Sequence, residues 1–103
     1  MKSVEKLDHL ERALSIIGKK YALQIIDCVA RHKGRVGFNQ LLKDISSINP
    51  RILSIRLKEL ETNKLISKSL VLGTPVKTEY SLTEKSKTII PIIDSIKKWG
   101  KTQ

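Results

Sequence analysis

Within residues 50–63, Arg51, Ser54, Ile55, Lys58 and Thr62 fall on one side of a wheel advancing ~100° per residue, and Ile52, Leu53, Leu57 and Leu60 fall on the other. The first set has the chemistry to read base edges. An arginine fork binds guanine through two bonds, a lysine reaches guanine acceptors or a phosphate, a serine bonds either, and an exposed isoleucine touches thymine methyls. Arg56 lies at the margin of the apolar side. A backbone phosphate is its first expected partner, and pairing with Glu59 is the alternative. The bland reading of the whole face is a basic surface that only keeps the protein solvated.

No other set of residues makes a reaction centre. Glu59 with Glu61, or Asp27 with Asp44, can be named as carboxylate pairs, yet neither has a nearby nucleophile, a Gly-rich phosphate loop or a histidine partner in sequence. An enzyme is therefore not expected. Cys28 is solitary, so it can form neither an intrachain disulfide nor a CxxC knuckle, and His9 and His32 lie 23 positions apart. No metal site and no cofactor are expected. Cys28 falls on an apolar helix stripe, where a small packing residue is expected rather than a reactive thiol.

The chain of 103 residues carries 20 Lys plus Arg against 10 Asp plus Glu, a net charge of +10. Residues 1–32 hold six bases and four acids, residues 33–82 nine and four, and residues 83–103 five and two. Half of the excess therefore sits in the middle, around the 50–63 face, as a polyanion-binding surface requires. The first residues contain no apolar h-region, and no apolar run approaches the ~18 residues needed to cross a bilayer. A cytoplasmic, nucleoid-associated protein with no membrane partner is the expectation.

The elements that must position this face follow from apolar spacing. Val4, Leu7, Leu10, Ala13, Leu14 and Ile17 mark a first helix before Gly18. Tyr21, Ala22, Ile25, Ile26, Val29 and Ala30 mark a second, which stops at His32, Lys33 and Gly34. After a turn at residues 34–37, Phe38, Leu41, Leu42 and Ile45 mark a short third helix. Asn49 and Pro50 then form a helix start, the asparagine as N-cap and the proline in the first turn. The fourth helix should run from 50 to about 63. Residues 66–72 and 76–82 read as a two-stranded hairpin around Gly73, Thr74 and Pro75. Thr83 can cap a last helix over 84–99, kinked at Pro91.

This order is that of a winged helix-turn-helix: one domain over residues 1–103, mainly α with a small β-hairpin wing, whose helix at about 50–63 enters the DNA major groove. Nearly the whole chain, residues 10–100, also resembles the HxlR-type transcriptional regulators. The likeness rests on Glu11-Arg12-Ala13-Leu14, Ile17-Gly18-Lys19-Lys20-Tyr21, Arg35 with Phe38-Asn39-Gln40-Leu41, and Asn49-Pro50-Arg51-Ile52-Leu53-Ser54. It continues in Arg56-Leu57-Lys58-Glu59-Leu60-Glu61, Glu79-Tyr80-Ser81-Leu82-Thr83-Glu84, and Ile90-Pro91-Ile92-Ile93 with Trp99-Gly100. No single piece is specific, but their order is.

The resemblance implies a homodimeric, DNA-binding regulator of transcription, with Arg51 and Ser54 on the operator and the hairpin as a wing. The expected DNA-binding set is Arg35, Asn39, Asn49, Pro50, Arg51, Ser54, Ile55, Arg56, Lys58, Lys68 and Lys77. Many members carry a cysteine just ahead of the segment matching Glu11-Arg12, often implicated in sensing electrophiles or oxidants, and here Asp8 and His9 stand there. A thiol switch at that place is excluded. Ile55 stands where a polar or basic side chain is common, so the family's base preference does not transfer, and Tyr21 replaces a usual tryptophan as a packing residue.

For Lys68 and Lys77, read together as the bases of the wing tip, phosphate contact and protection of an edge strand are equally open. Leu7, Leu10, Leu14, Ile89, Ile93, Ile96 and Trp99 are the expected dimer interface, against the plainer alternative that the end helices pack only on their own domain. A dimer would read a pseudo-palindromic site with its helices about 34 Å apart. Two other classes stay open: a sequence-neutral architectural DNA-binding protein, and a winged-helix module for protein contacts.

Overall fold

The computed structural model describes residues 8–103. Helix α1 (His9–Ile17) starts where the Asp8 carboxylate accepts a 2.6 Å bond from the Glu11 N–H, and it ends at Gly18. A Cβ at Gly18 would lie 2.5 Å from the Leu14 carbonyl oxygen, so only glycine closes this helix without displacing it. The expected positions Val4 and Leu7 lie outside the described residues. Helix α2 (Ala22–Arg31) is the axis of the core and buries Ala22, Ile25, Ile26, Cys28 and Val29.

Around it stand α3 (Phe38–Asp44) and α4 (Pro50–Thr62). Asn49 caps α4 as its sequence requires: its side-chain oxygen accepts from the Ile52 N–H at 2.8 Å, and Pro50 occupies the first turn, where a missing donor costs nothing. Leu53, Leu57 and Leu60 turn into the core with Leu41, Ile45, Leu65 and Ile66. The helix-turn-helix unit is thus fastened along its apolar stripe.

The sheet is larger than a hairpin. Strands β2 (Ile66–Val71) and β3 (Lys77–Leu82) pair antiparallel as expected, and a third strand, β1 (Arg35–Gly37), pairs with the far side of β3 to give the order β1-β3-β2. Residues 34–37 are therefore more than a turn. Three residues are too few to show alternation in sequence, and β1 exists because β3 offers a free edge: Val36 stands opposite Tyr80, and the Leu82 N–H reaches the carbonyl of Gly34 at 3.1 Å. Gly34, at φ +85°, makes the turn into the strand.

The end of the chain also departs from expectation. A short 3₁₀ segment (Lys85–Thr88) precedes α5 (Ile90–Lys101), and Pro91 lies in the first turn of α5 rather than at a kink inside a longer helix. A proline there removes no intrahelical bond. Thr83 does not cap α5, which starts after Ile89; it stands ahead of the 3₁₀ segment, where its hydroxyl accepts from the Ser86 N–H and donates to the Lys64 carbonyl, while the Ser86 hydroxyl accepts from the Thr83 N–H. Ile93 anchors α5 on the core. Among the described residues, no helix is long and apolar enough to cross a membrane.

Candidate nucleic-acid interface

With Leu53, Leu57 and Leu60 buried, the opposite side of α4 must face outward, and Arg51, Ser54, Ile55, Lys58 and Thr62 are all exposed. Asn49 and Pro50 sit exposed at its start, the asparagine oxygen committed to the cap. Strand alternation then sorts the wing lysines. Lys68 stands opposite Tyr80 and shares its side of the sheet, where Ser54, Leu57, Lys58, Glu61, Lys68 and Tyr80 line one cleft. Burial, then the Glu61 charge, push the Tyr80 phenol up, so it stays neutral beside the two lysines.

Lys77 stands opposite Val71 and belongs to the other side of the sheet, with Glu79. There it lines a second cleft with Asn39, Phe38 and Val76, at the start of α3. Arg35, on β1, is exposed and lies 3.7 Å from the Glu79 carboxylate. The two lysines read together in sequence as one wing tip therefore serve different faces. Lys68 joins the α4 surface, and Lys77, Asn39 and Arg35 lie on the α3 and β1 side.

Arg56 requires a correction. Its Nε donates to the Lys20 carbonyl at 2.9 Å, its Nη1 to Glu59 at 2.8 Å, and only 19% of the side chain is exposed. The arginine holds the protein together where a phosphate contact was expected, because the margin of the apolar stripe meets the α1–α2 connection. Lys19 from the same connection pairs with the other Glu59 oxygen, and the Tyr21 hydroxyl donates to the Ser47 carbonyl in the turn before α4 at 3.2 Å. The bond from Lys19 first, then that from Arg56, holds the Glu59 carboxyl below its ordinary range. The pairing with Glu59 is the alternative that the sequence offers for Arg56, whereas the other bonds of this clasp join residues 26 to 40 positions apart and have no signal in the sequence.

The expected dimer residues divide in the same way. Leu10, Leu14, Ile96 and Trp99 are exposed, Trp99 at 68%. Ile93, 5% exposed, belongs to the core of its own chain, and Ile89 packs half-buried against that core. Leu7 lies outside the described residues.

Cys28 is fully buried, and burial, followed by the Asp44 charge, pushes its thiol up, as expected of a packing residue. Its surroundings were not anticipated: His32 and Asp44 stand around it. The legible signal was the four-residue step from Cys28 to His32, which puts both side chains on one helix face.

Comparison with known proteins agrees with this architecture. Residues 16–103 match the family model described as HxlR-like helix-turn-helix. The chain is 38% identical over 93 residues to the HTH-type transcriptional regulator YdzF of Bacillus subtilis (strain 168), covering 90% of this chain and 84% of that one. Among solved structures it is similar to the redox regulator HypR in its oxidized form, with a TM-score of 0.80 and 32% identity over 91% of this chain and 95% of that one. The reduced transcriptional regulator YodB from B. subtilis superposes with a TM-score of 0.74 and 31% identity, over 90% and 89% of the two chains. A capped helix presenting arginine, serine and lysine beside a wing is what such regulators need, and this chain belongs to the HxlR-like helix-turn-helix family of DNA-binding transcription regulators.

Proposed function

We propose that the protein binds double-stranded DNA as a homodimer at a pseudo-palindromic operator, in the cytoplasm, with α4 in the major groove and Lys68 against the flanking backbone. The observation that carries this reading is the two-sided α4, whose apolar stripe is used up inside the chain while Arg51, Ser54, Ile55 and Lys58 face out beside Lys68. Arg51, in the first turn after a firm cap, is the residue best placed to fork onto a guanine. Lys77, Asn39 and Arg35 would meet phosphates from the other face of the wing.

The dimer would be built by the ends of the chain. Leu10 and Leu14 on α1, with Ile96 and Trp99 on α5, expose an apolar surface of the kind that marks association sites. A two-fold axis through it presents two identical α4 helices about 34 Å apart.

Selection of bound sites from random duplexes, followed by titration at two salt concentrations, tests the reading. The expected result is an inverted-repeat consensus whose affinity falls with salt by ~0.9 log unit per neutralised phosphate. Equal affinity for every duplex would make the protein an architectural binder. Absence of DNA binding would leave the basic face to an acidic protein partner.

A further inference from the structure

We propose that Cys28, His32 and Asp44 form a binding site for one divalent transition-metal ion of zinc's class. The three donors come from two helices. Cys28 lies on α2, His32 is the residue that caps its C-terminus one turn later, and Asp44 is the last residue of α3. Their ligand atoms all lie within 4.8 Å of one another. The Cys28 Sγ is 3.7 Å from Asp44 Oδ2, and His32 Nε2 donates to the same oxygen at 2.6 Å.

A tetrahedral ion with bonds of ~2.0–2.3 Å needs its donors about 3.3–3.6 Å apart. The sulfur and oxygen, 3.7 Å apart, are close to that spacing, and the imidazole, 2.6 Å from the oxygen and within 4.8 Å of the sulfur, must draw back from the one and close on the other by about 1 Å. One sulfur, one nitrogen and one oxygen suit zinc and its neighbours, whereas magnesium and calcium take oxygen alone. Gln40 supplies the outer support such sites use: its Nε2 donates to Asp44 Oδ1 at 2.9 Å and leaves Oδ2 turned to the sulfur and imidazole.

Access is provided for. The His32 and Asp44 side chains are 35% and 23% exposed, and a surface cleft lined by Tyr21, Gln24, Asp27 and Arg31 reaches Asp44. Arg31, which lines that cleft, is drawn toward Asp27, 3.3 Å away. On binding, the Cys28 thiol releases its proton to solvent and ligates as thiolate, the imidazole ligates as the neutral ring, and a water takes the fourth position. The ion would tie α2 to the end of α3, immediately before the turn into α4. The site is independent of the DNA-binding reading, since its donors lie outside the α4 face.

The test is titration of the full, tag-free chain with Co²⁺ as spectroscopic probe, then with Zn²⁺. One cobalt per chain, a thiolate-to-cobalt charge-transfer band and displacement of both by zinc are expected, with a rise in melting temperature that a chelator reverses. Cys28→Ser should abolish the band. Because Cys28 is buried and its variant can misfold, His32→Gln and Asp44→Asn, at partly exposed positions, must each weaken cobalt binding by at least tenfold, and Gln40→Ala by about tenfold. His9→Gln should change nothing. Absence of the charge-transfer band at saturating cobalt, or binding unaltered in the His32 and Asp44 variants, overturns the site.

Discussion

Helices α4 and α1 are both amphipathic, yet their apolar faces meet opposite fates. In α4, Leu53, Leu57 and Leu60 are buried against α2 and the sheet, and the polar face is what remains for a partner. In α1 no residue is buried, and Leu10 and Leu14 stay open to solvent at 67% and 52%. The polar face of α4 is therefore presented by one chain alone, whereas Leu10 and Leu14 leave an apolar surface open to solvent. One apolar face can stabilise the fold or join two copies, and its place relative to α2 decides which.

The sharpest way to break this contrast is to truncate one residue of each kind. Leu57→Ala should cost about 2–5 kcal/mol of folding stability, read from denaturant midpoints, because it leaves a cavity beneath α4. Paired Leu10→Glu and Leu14→Glu should leave the fold intact and convert a dimer to a monomer in sedimentation, with operator affinity lost as the two heads separate. A wild-type monomer at micromolar concentration that still binds its operator would remove the role given to α1.

Next in size is the contrast within the reading surface itself. Arg51→Ala should cost about 1–3 kcal/mol on the preferred operator and relax the preference at one base pair, whereas Lys68→Ala should weaken all duplexes alike and flatten the salt dependence by about one phosphate. Competition binding with matched and mismatched duplexes separates the two. The reverse pattern would exchange their roles.

What the sequence makes legible here is local. The α4 wheel, the Asn49-Pro50 start and the Gly73 hairpin rest on neighbours within a few residues, so type and spacing suffice. Arg56, β1 and Ile93 depend on what the chain brings alongside from far away. Arg56 at the edge of a stripe reads first as a phosphate ligand, with Glu59 as the alternative, until the carbonyl of Lys20 is found 36 positions back. Residues 35–37 become a strand only because β3 has an edge to fill. Pro91 looks like a kink unless the turn ahead of it is known to be 3₁₀.

The Asn49 cap belongs to the self-sufficient side of the contrast and predicts a smaller effect. Asn49→Ala should lower stability by about 0.5–2 kcal/mol, and Asn49→Asp, which keeps the acceptor, should restore most of it. Thermal unfolding checks both. If the cap also fixes where Arg51 emerges, the alanine variant should lose operator preference along with stability, and the aspartate variant should recover the stability.

The smallest effect concerns the clasp that joins the two regions. Lys19 and Lys20 lie in the connection between α1 and α2, and through Glu59 and Arg56 they fasten the outer half of α4. Glu59 has its folded pKa depressed below the ordinary value of 4.5, first by the bond from Lys19 and then by that from Arg56. A depressed carboxylate stabilises the fold above its unfolded pKa, and that contribution is lost as pH falls through the lower folded value. Because Lys19 is half exposed, the contribution is about 1 kcal/mol or less at neutral pH and shrinks in high salt. Glu59→Gln should therefore unfold slightly earlier than the wild type at pH 7, and the difference should narrow in acid, measured as paired denaturant midpoints across that range. A constant difference at every pH would assign the effect to packing of the Glu59 stem instead of its charge. A difference that narrows as expected, with Lys19→Ala tracking it, would make the α1–α2 connection an electrostatic fastening on which the orientation of α4 depends.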